Sequence, residues 1–235
     1  RRSSDLALRD DLDARAPRAS AVLAPLKLVI ENYDVGAKEA CSAPKHPHHP
    51  EWGKREFHFG RELWIEADDF QMNPEKGFFR LFPPKDGVAG GRVRLRHGFV
   101  IECTGVNLDD QGNVVEVRAR YFPDSKSGTP DSNNYKVKGN IHWINAAEAI
   151  PVEVRLYEHL FTDPQPDSGD KNFLSFINPN SKKVIRAYVE PSIQNAQPEE
   201  RFQFERHGYF VVDRKDSVPG KLVFNRSVGL KDNWK

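Results

Sequence analysis

Three arginines alternate with apolar residues in the stretch RVRLR at positions 92–96. Alternate residues of a β-strand project from the same face, so this spacing predicts a row of three guanidinium groups on one side of a strand. Between positions 76 and 97 there are six basic side chains and one acidic side chain, whereas the whole chain carries a net charge of only +1. Such a local cluster indicates a phosphate or nucleic-acid site. A solvated strand face explains the pattern equally well.

A second stretch, RFQFERHGYFVV at 201–212, combines strand alternation with polar groups. Phe202 and Phe204 lie on one face of the predicted strand and Gln203 lies on the other. Arg206 has the same parity as the phenylalanines, and a regular strand would bury it with them. Gly208 permits a bulge or a turn. We therefore predict that the strand ends or bends near this glycine, which lets Arg206 leave the apolar face.

The stretch CSAPKHPHHP at 41–50 brings a cysteine close to three histidines. Its prolines interrupt the regular ligand spacing of known metal motifs, so we predict a rigid loop and no metal site. The chain has no G-x-S-x-G or H-E-x-x-H motif and no glycine-rich phosphate loop before a helix. We assign no catalytic residue and no cofactor site. A hydrolase stays open as an alternative, because histidine, serine and aspartate are all present in quantity.

Composition sets the broad class of the protein. The 235 residues are 38% hydrophobic and 29% charged, which is enough for a globular core. The small net charge excludes a basic field over the whole surface, so any polyanion site must be local. Two cysteines, Cys41 and Cys103, do not indicate a disulfide scaffold and favour a reducing compartment. No run approaches the ~20 apolar residues of a membrane span, and the first residues lack the apolar segment of a signal peptide.

The elements that must position these residues are mostly strands. Residues 3–17 predict a short helix that ends at Pro17. Many short alternating segments follow, separated by turn residues, and this pattern predicts an all-β fold. A polar loop at 124–134 is the best candidate boundary between two β units. The predicted strands are 26–33, 61–67, 92–103, 114–122, 138–144, 151–161, 184–190, 202–212 and 221–228.

Several long motifs resemble the C-terminal part of glutaminyl-tRNA synthetases. They are APRASAVLAPLKLVIENY, HPHHPEWGKREFHF, ELWIEADDF, VRLRHGFVI, VKGNIHWINAAEAIPVEVRLYEHLF, FQFERHGYF and VFNRSVGLKDNW. The resemblance covers nearly the whole chain. It implies a class I ligase that joins glutamine to its tRNA with ATP. The family's HIGH-like and KMSKS-like motifs are not among these 235 residues, so we expect an anticodon-binding region that is not catalytic by itself.

The resemblance also implies an architecture and a setting. The expected fold is two antiparallel β-barrels preceded by a short N-terminal helix. Residues 1–17 would connect to the catalytic domain, 18–125 would form the distal barrel, and 126–235 the proximal barrel, with the first strand after the helix also in the proximal barrel. The partners would be the anticodon loop of a glutamine tRNA and the catalytic domain. We expect a cytoplasmic monomer without membrane contact, and ATP and Mg²⁺ only in the full-length enzyme.

The family's functional residues can be carried over by motif. Arg18, Gln203 and Arg206 match the group around the middle anticodon base. Arg94 and Arg96 match arginines at the first base and its phosphates. The remaining matches are Arg80, at the last base, and the pair Pro47 and His48, where a proline and an asparagine help to splay the loop.

The sequence departs from the family at some of these positions. His48 replaces the asparagine. The run KGFFRL at 76–81 has Gly77 and Phe79 where bacterial members tend to have polar side chains, so contacts to the last base are the least determined. Asp13 stands where the family can have asparagine, and we assign it no role.

Two other classes stay open beside the hydrolase. A glutamyl-tRNA synthetase of the archaeal or eukaryotic type shares the barrel architecture, although the FQFERHGYF and NRSVGLKDNW motifs favour glutamine. A carbohydrate-binding β module would instead show a groove lined by exposed tryptophans and no basic cleft.

Overall fold

The computed structural model describes residues 2–230. Within them, an α-helix, α1 (Arg2–Arg15), is followed by β-strands and short 3-10 turns. The strands are β1 (Arg18–Ala19), β2 (Ala21–Val22), β3 (Pro25–Ile30), β4 (Glu39–Pro44), β5 (Lys54–Phe59), β6 (Glu62–Glu66), β7 (Arg92–Leu95), β8 (Val100–Leu108), β9 (Val114–Tyr121), β10 (Gly139–Ile141), β11 (Ile144–Asn145), β12 (Ile150–Tyr157), β13 (Lys182–Val189), β14 (Arg201–Phe204), β15 (Gly208–Val212) and β16 (Val223–Gly229). The 3-10 helices are Pro50–Trp52, Ala67–Asp69, Pro123–Ser125, Pro130–Asn134, Phe173–Phe176 and Pro191–Ile193.

The strands form two seven-stranded sheets and one hairpin. The first sheet has the order β1-β14-β15-β16-β12-β13-β2, the second has the order β10-β7-β8-β9-β3-β6-β11, and β4 pairs with β5. Both sheets are barrel-shaped or half-barrel, so the expected all-β class with one N-terminal helix is confirmed. Most pairs are antiparallel, but each sheet also has two parallel pairs: β1–β14 and β12–β16, and β10–β7 and β3–β9. These join distant parts of the chain, where no tight hairpin imposes the antiparallel direction.

Each sheet encloses its own apolar core. Phe204, Phe210 and Phe224 are fully buried in the first sheet. Phe59, at the end of β5, and Phe99, in the turn between β7 and β8, are fully buried in the core of the second. Along the strands, alternation places the apolar side chains inward and leaves the intervening polar residues on the outer face. The polar residues of interest are therefore carried on outer faces and at strand ends.

The change from one sheet to the other falls later in the chain than the polar loop. β10 and β11 belong to the second sheet, and β12 is the next strand of the first sheet. The sheets therefore divide between Asn145 and Ile150 rather than near residue 126. The polar composition of a loop indicates that the chain is exposed there, but it does not indicate a domain boundary. The strand pairings decide which sheet continues after it.

The stretch 92–103, which we predicted as one strand, is a hairpin. β7 and β8 pair antiparallel, with Arg92 opposite Glu102. His97 adopts a positive φ of 59° at the turn. Histidine is one of the few non-glycine residue types that are enriched in this left-handed region. The prediction of a single strand was wrong because apolar alternation continues on both sides of the turn.

The helix α1 ends at Arg15, two residues before Pro17, as the proline predicts. Its buried Leu12 and the following Ala16 pack against Tyr209 of β15. This contact fixes the end of the helix over the outer face of the first sheet. No helix among residues 2–230 combines the length and apolar character needed to cross a membrane.

Candidate nucleic-acid interface

Arg18 and Gln203 lie side by side although they are far apart in sequence. β1 pairs parallel with β14, and the two residues are Cα partners in this pairing. Residues directly opposite each other in a sheet project from the same face, so both side chains lie on the outer face of the first sheet. Within residues 2–230 no group forms a hydrogen bond with the Gln203 side-chain amide. A free amide therefore stands beside a guanidinium.

Asp13, at the end of α1, holds the Arg18 side chain. Its Oδ1 accepts hydrogen bonds from Arg18 Nη2 at 2.5 Å and from the Tyr209 hydroxyl at 2.8 Å. Burial raises the pKa of the Asp13 carboxyl, but the Tyr209 hydrogen bond and the Arg18 charge outweigh it and lower the pKa overall. Arg18 Nη1 donates to the carbonyls of Asp13 and Ala16. Among the described residues, no group accepts a hydrogen bond from the Nε–H or from the second Nη2–H of Arg18.

The proline-rich loop approaches the same place. The Arg18 N–H donates to the Lys45 carbonyl at 2.6 Å. His46 is buried, and its Nδ1 accepts the His48 N–H, so its Nε2 carries the proton that is donated to the Asp13 carbonyl at 2.6 Å. Pro47 and His48 are both exposed. The loop therefore presents them outward next to Arg18.

Arg206 lies at the tip of the turn between β14 and β15. β14 ends at Phe204, and Arg206 has a φ of 71°. Gly208 has a φ of 144°, and a Cβ there would lie 2.4 Å from the Val228 carbonyl oxygen, so glycine is required. The predicted interruption of the strand is confirmed. The turn directs Arg206 away from the phenylalanine core and toward the second sheet.

A buried carboxylate holds Arg206 there. Its Nη1 and Nη2 donate to the two carboxylate oxygens of Asp69, each at 2.7 Å, and Nη1 also lies 3.2 Å from His142 Nδ1. The Asp69 hydrogen bonds raise the pKa of Arg206, which stays charged. Arg80 reaches the same acid, with its Nη1 3.2 Å from Asp69 Oδ1. Two predicted site residues thus share one partner.

A cavity of about 730 Å³ adjoins Arg80. It is lined by Phe79, which is half-exposed, and by Lys138, whose ammonium lies 4.4 Å from the centre of the Phe79 ring. Gly77 also lines the cavity. The departure from the family pattern therefore exchanges polar groups for an exposed aromatic ring, which offers a stacking surface.

Arg94 differs from the other arginines because it contacts the polar loop at 124–134 and the residue after it. Its Nη1 donates to the Ser125 carbonyl at 2.6 Å and to the Ser127 hydroxyl, and its Nη2 donates to the carbonyls of Ser132 and Tyr135. No acid pairs with it within residues 2–230. Burial lowers the pKa of Arg94. The guanidinium holds the polar loop, and its role at a base or phosphate stays a prediction.

We expect Arg94→Ala to speed backbone amide hydrogen exchange in residues 125–135, because four loop contacts lose their donor. Arg92→Ala is the matched control on the same strand, since Arg92 pairs with Glu102 and not with the loop. Exchange rates measured by mass spectrometry distinguish the two variants. Equal protection of the loop in the wild type and Arg94→Ala would contradict this role.

Arg96 is partly exposed and joins a buried network. Its Nε lies 3.4 Å from Glu205 Oε2, and Glu205 Oε1 accepts a hydrogen bond from Arg55 Nη2 at 2.7 Å. Arg55 also bonds Glu190, on the segment after β13, and the Ser20 hydroxyl at 3.1 Å. The network ties the β4–β5 hairpin to the first sheet at the point where Arg96 and Arg206 approach it.

The structure therefore gathers the predicted residues into groups. Arg18, Gln203, Pro47 and His48 lie around the end of α1, and Arg80 and Arg206 share Asp69. Arg94 lies apart from both groups, although the cavities beside Arg80 and Arg94 both contact Asn140. Sequence reasoning did not identify Asp13 and Asp69 as the acids that hold Arg18, Arg80 and Arg206. The excess of positive charge on the predicted strand indicated only that acidic partners were needed.

One cluster among the described residues has the donor types and spacing of a cation site. Glu66, His142 and His207 place one ligand atom each within 4.8 Å of one another. Glu66 Oε1, however, accepts the Leu23 N–H at 2.6 Å and lies 2.8 Å from His207 Nε2. The Arg206 guanidinium beside His142 adds a positive charge that opposes a cation. Hydrogen bonding across the junction of the two sheets accounts for the cluster.

Comparisons with known proteins show the family to which the chain is similar. The family model described as the anticodon-binding domain of class I tRNA synthetases (E and Q) matches residues 16–122, and a second model with the same description matches residues 140–213. The glutamine–tRNA ligase of Polynucleobacter asymbioticus is 72% identical over 231 residues, which are 98% of this chain and 39% of that protein.

Other glutamine–tRNA ligases are similar over the same extent. That of Cupriavidus metallidurans is 63% identical and that of Bordetella pertussis is 57% identical, each over 97% of this chain and 38% of its own length. The chain therefore spans about two fifths of the length of these curated relatives. With both family models and these identities, the chain belongs to the anticodon-binding domains of the class I tRNA synthetases for glutamate and glutamine.

Proposed function

We propose that this chain reads the anticodon of a glutamine tRNA. The observation that carries the proposal is the pairing of Arg18 with Gln203, which places a guanidinium and an unbonded amide next to each other on one face. A pyrimidine base such as uracil offers two carbonyl acceptors and one N–H donor on its edge. A guanidinium can donate to the carbonyls, and an amide can both donate and accept.

The surroundings support binding of an unstacked loop. Proteins read RNA sequence best in single-stranded loops, where bases can be stacked on aromatic rings and hydrogen-bonded on their edges. Phe79 provides an exposed ring beside Arg80, while Arg96 and Lys138 provide positive charge for the backbone. Phosphate contacts position the loop and edge contacts identify the bases.

Fluorescence anisotropy with RNA hairpins tests the proposal. The 235-residue chain should bind a hairpin with a glutamine anticodon more tightly than hairpins in which the middle base is replaced. We expect a loss of about 1–3 kcal/mol for that replacement, by analogy with bidentate base readout in DNA. Equal affinity for all the hairpins at a given salt concentration would contradict anticodon reading.

A glutamyl-tRNA synthetase is the second candidate, because the family description covers both amino acids. The identities of 57–73% to glutamine–tRNA ligases favour glutamine. A hairpin with a glutamate anticodon, compared with the glutamine hairpin in the same assay, separates the two. A carbohydrate-binding module is disfavoured because Trp52, Trp64 and Trp143, the tryptophans of the described residues, each pack against another aromatic ring.

The proposal also covers the longer protein. We infer a cytoplasmic, monomeric glutamine–tRNA ligase in which this region joins a catalytic domain that uses ATP and Mg²⁺. The charging reaction would take place in that domain. The region described here would contribute selection of the tRNA by its anticodon.

A further inference from the structure

Asp69 occupies an unusual position between the two sheets. It ends the 3-10 helix Ala67–Asp69 that follows β6, and it is fully buried. Its carbonyl oxygen accepts the Leu81 N–H at 3.0 Å, which holds the segment containing Arg80 beside it. The backbone of Asp69 is therefore held by the 3-10 helix on one side and by the Leu81 hydrogen bond on the other. A buried carboxylate needs cationic or hydrogen-bonding partners, because the cost of leaving it alone is high.

The two cations that satisfy Asp69 come from different parts of the fold. Arg206 is carried by the β14–β15 turn of the first sheet and makes a bidentate contact at 2.7 Å to both oxygens. Arg80 is carried by the segment before β7 of the second sheet and lies 3.2 Å from Oδ1. Their side chains are 26% and 39% exposed, so both arginines stay partly accessible to solvent while they contact the acid.

The contacts leave specific donors for a ligand. Arg206 Nη1 donates to Asp69 and to His142, and one N–H of Nη2 donates to Asp69. Arg80 donates only through Nη1, to Asp69 and to the Asp68 carbonyl. Within residues 2–230 nothing bonds the Nε–H and the second Nη2–H of Arg206, or the Nε and Nη2 donors of Arg80. A planar guanidinium that is fixed on one edge presents its other edge in a defined direction.

We propose that Asp69 is a positioning residue that holds the guanidinium groups of Arg206 and Arg80 in their orientations. Discrimination at the middle and last anticodon bases is then coupled through one carboxylate. The inference rests on the proposed function, together with the family resemblance that matches Arg206 to the middle base and Arg80 to the last base. When two residues share a partner, the free-energy effects of mutating them are expected not to be additive. The effects of mutations at independent sites add.

Asp69→Asn is the direct test, because it keeps the shape and removes the charge. Anisotropy is measured with the glutamine hairpin and with hairpins altered at the middle or the last base. We expect discrimination at both bases to fall on the order of tenfold. Affinity for the altered hairpins should stay unchanged or rise, because a negative charge near the RNA is lost. A variant that is merely unfolded would lose affinity for every hairpin.

Glu102→Gln is the matched control. Glu102 is also a buried acid that bridges two arginines, Arg92 and Arg120, in the second sheet. Neither arginine is among the residues that the family resemblance matches to an anticodon base. Glu102→Gln should keep the wild-type discrimination at both bases, and thermal unfolding of the two variants measures the structural cost of each. Equal loss of discrimination in both variants would assign the Asp69 effect to general destabilisation and overturn the inference.

A double-mutant cycle keeps the inference testable if Asp69→Asn does not fold. The variants are Arg80→Ala, Arg206→Ala and the two combined. Their effects on the dissociation constant of the glutamine hairpin should deviate from a simple product by at least about twofold. The control cycle combines Arg80→Ala with Arg118→Ala, whose partner is the exposed Glu31, and this cycle should be multiplicative.

The outcomes separate the two proposals. A wild-type chain that does not discriminate between the hairpins overturns the proposed function, and this inference with it. A discriminating wild type, combined with unaltered discrimination in Asp69→Asn, overturns only the role of Asp69. If that variant does not fold, a multiplicative Arg80 and Arg206 cycle overturns the role in the same way.

Discussion

Arg206→Ala is expected to abolish most discrimination at the middle anticodon base while it keeps much of the binding that depends on phosphate contacts. The guanidinium is held by Asp69 and His142, so its free edge has a fixed direction. A well-placed bidentate contact is worth about 1–3 kcal/mol of discrimination between bases. Anisotropy titrations with the glutamine hairpin and its middle-base variants measure this loss directly.

Arg206→Lys is the control for charge. Lysine keeps a cation beside Asp69 but lacks the planar fork, so it should preserve folding better than alanine and still lose most of the base discrimination. Salt dependence gives a second readout, because a residue that only neutralises one phosphate changes the salt slope by about one unit without changing specificity. If Arg206→Ala discriminates as well as the wild type, Arg206 does not read the base.

Arg55→Met is expected to lower the free energy of unfolding by about 3–5 kcal/mol, since it breaks a buried ion network by removing one partner. The Arg55 side chain is 1% exposed, and it bonds Glu190 and Glu205, which are 3% and 8% exposed. Without it, two carboxylates are left in the interior with too few donors. Denaturant unfolding of the purified chain measures the change, which should appear in the midpoint with little change in slope.

Two comparisons determine whether the loss comes from the buried charges. Arg118→Met removes an arginine whose partner Glu31 is 40% exposed, and exposed pairs contribute at most about 1 kcal/mol. Arg55→Met combined with Glu190→Gln and Glu205→Gln removes the unpaired charges and should recover much of the stability. A loss of less than 1 kcal/mol in Arg55→Met alone would contradict the importance of the network.

The local pattern of the sequence determined the class of fold and most of its elements. Alternation of apolar and polar residues is a property of a few neighbouring residues, and it correctly predicted strands such as β9 and the buried rings of the first sheet. Pro17 correctly predicted the end of α1, because proline disfavours helix in the residue before it. Arg206 was expected to leave the apolar face, since burying a guanidinium among phenylalanines is costly without a partner.

Only the tertiary structure decided which of these elements meet. The partnership of Arg18 with Gln203 depends on a parallel pairing between strands at opposite ends of the chain, and no local pattern specifies it. The same is true of Asp69, whose neighbours in sequence give no sign that it holds Arg80 and Arg206. The periodicity of apolar residues indicates which face of a strand a residue occupies. The identity of the facing residue depends on the register of distant strands, which is set by packing of the whole core.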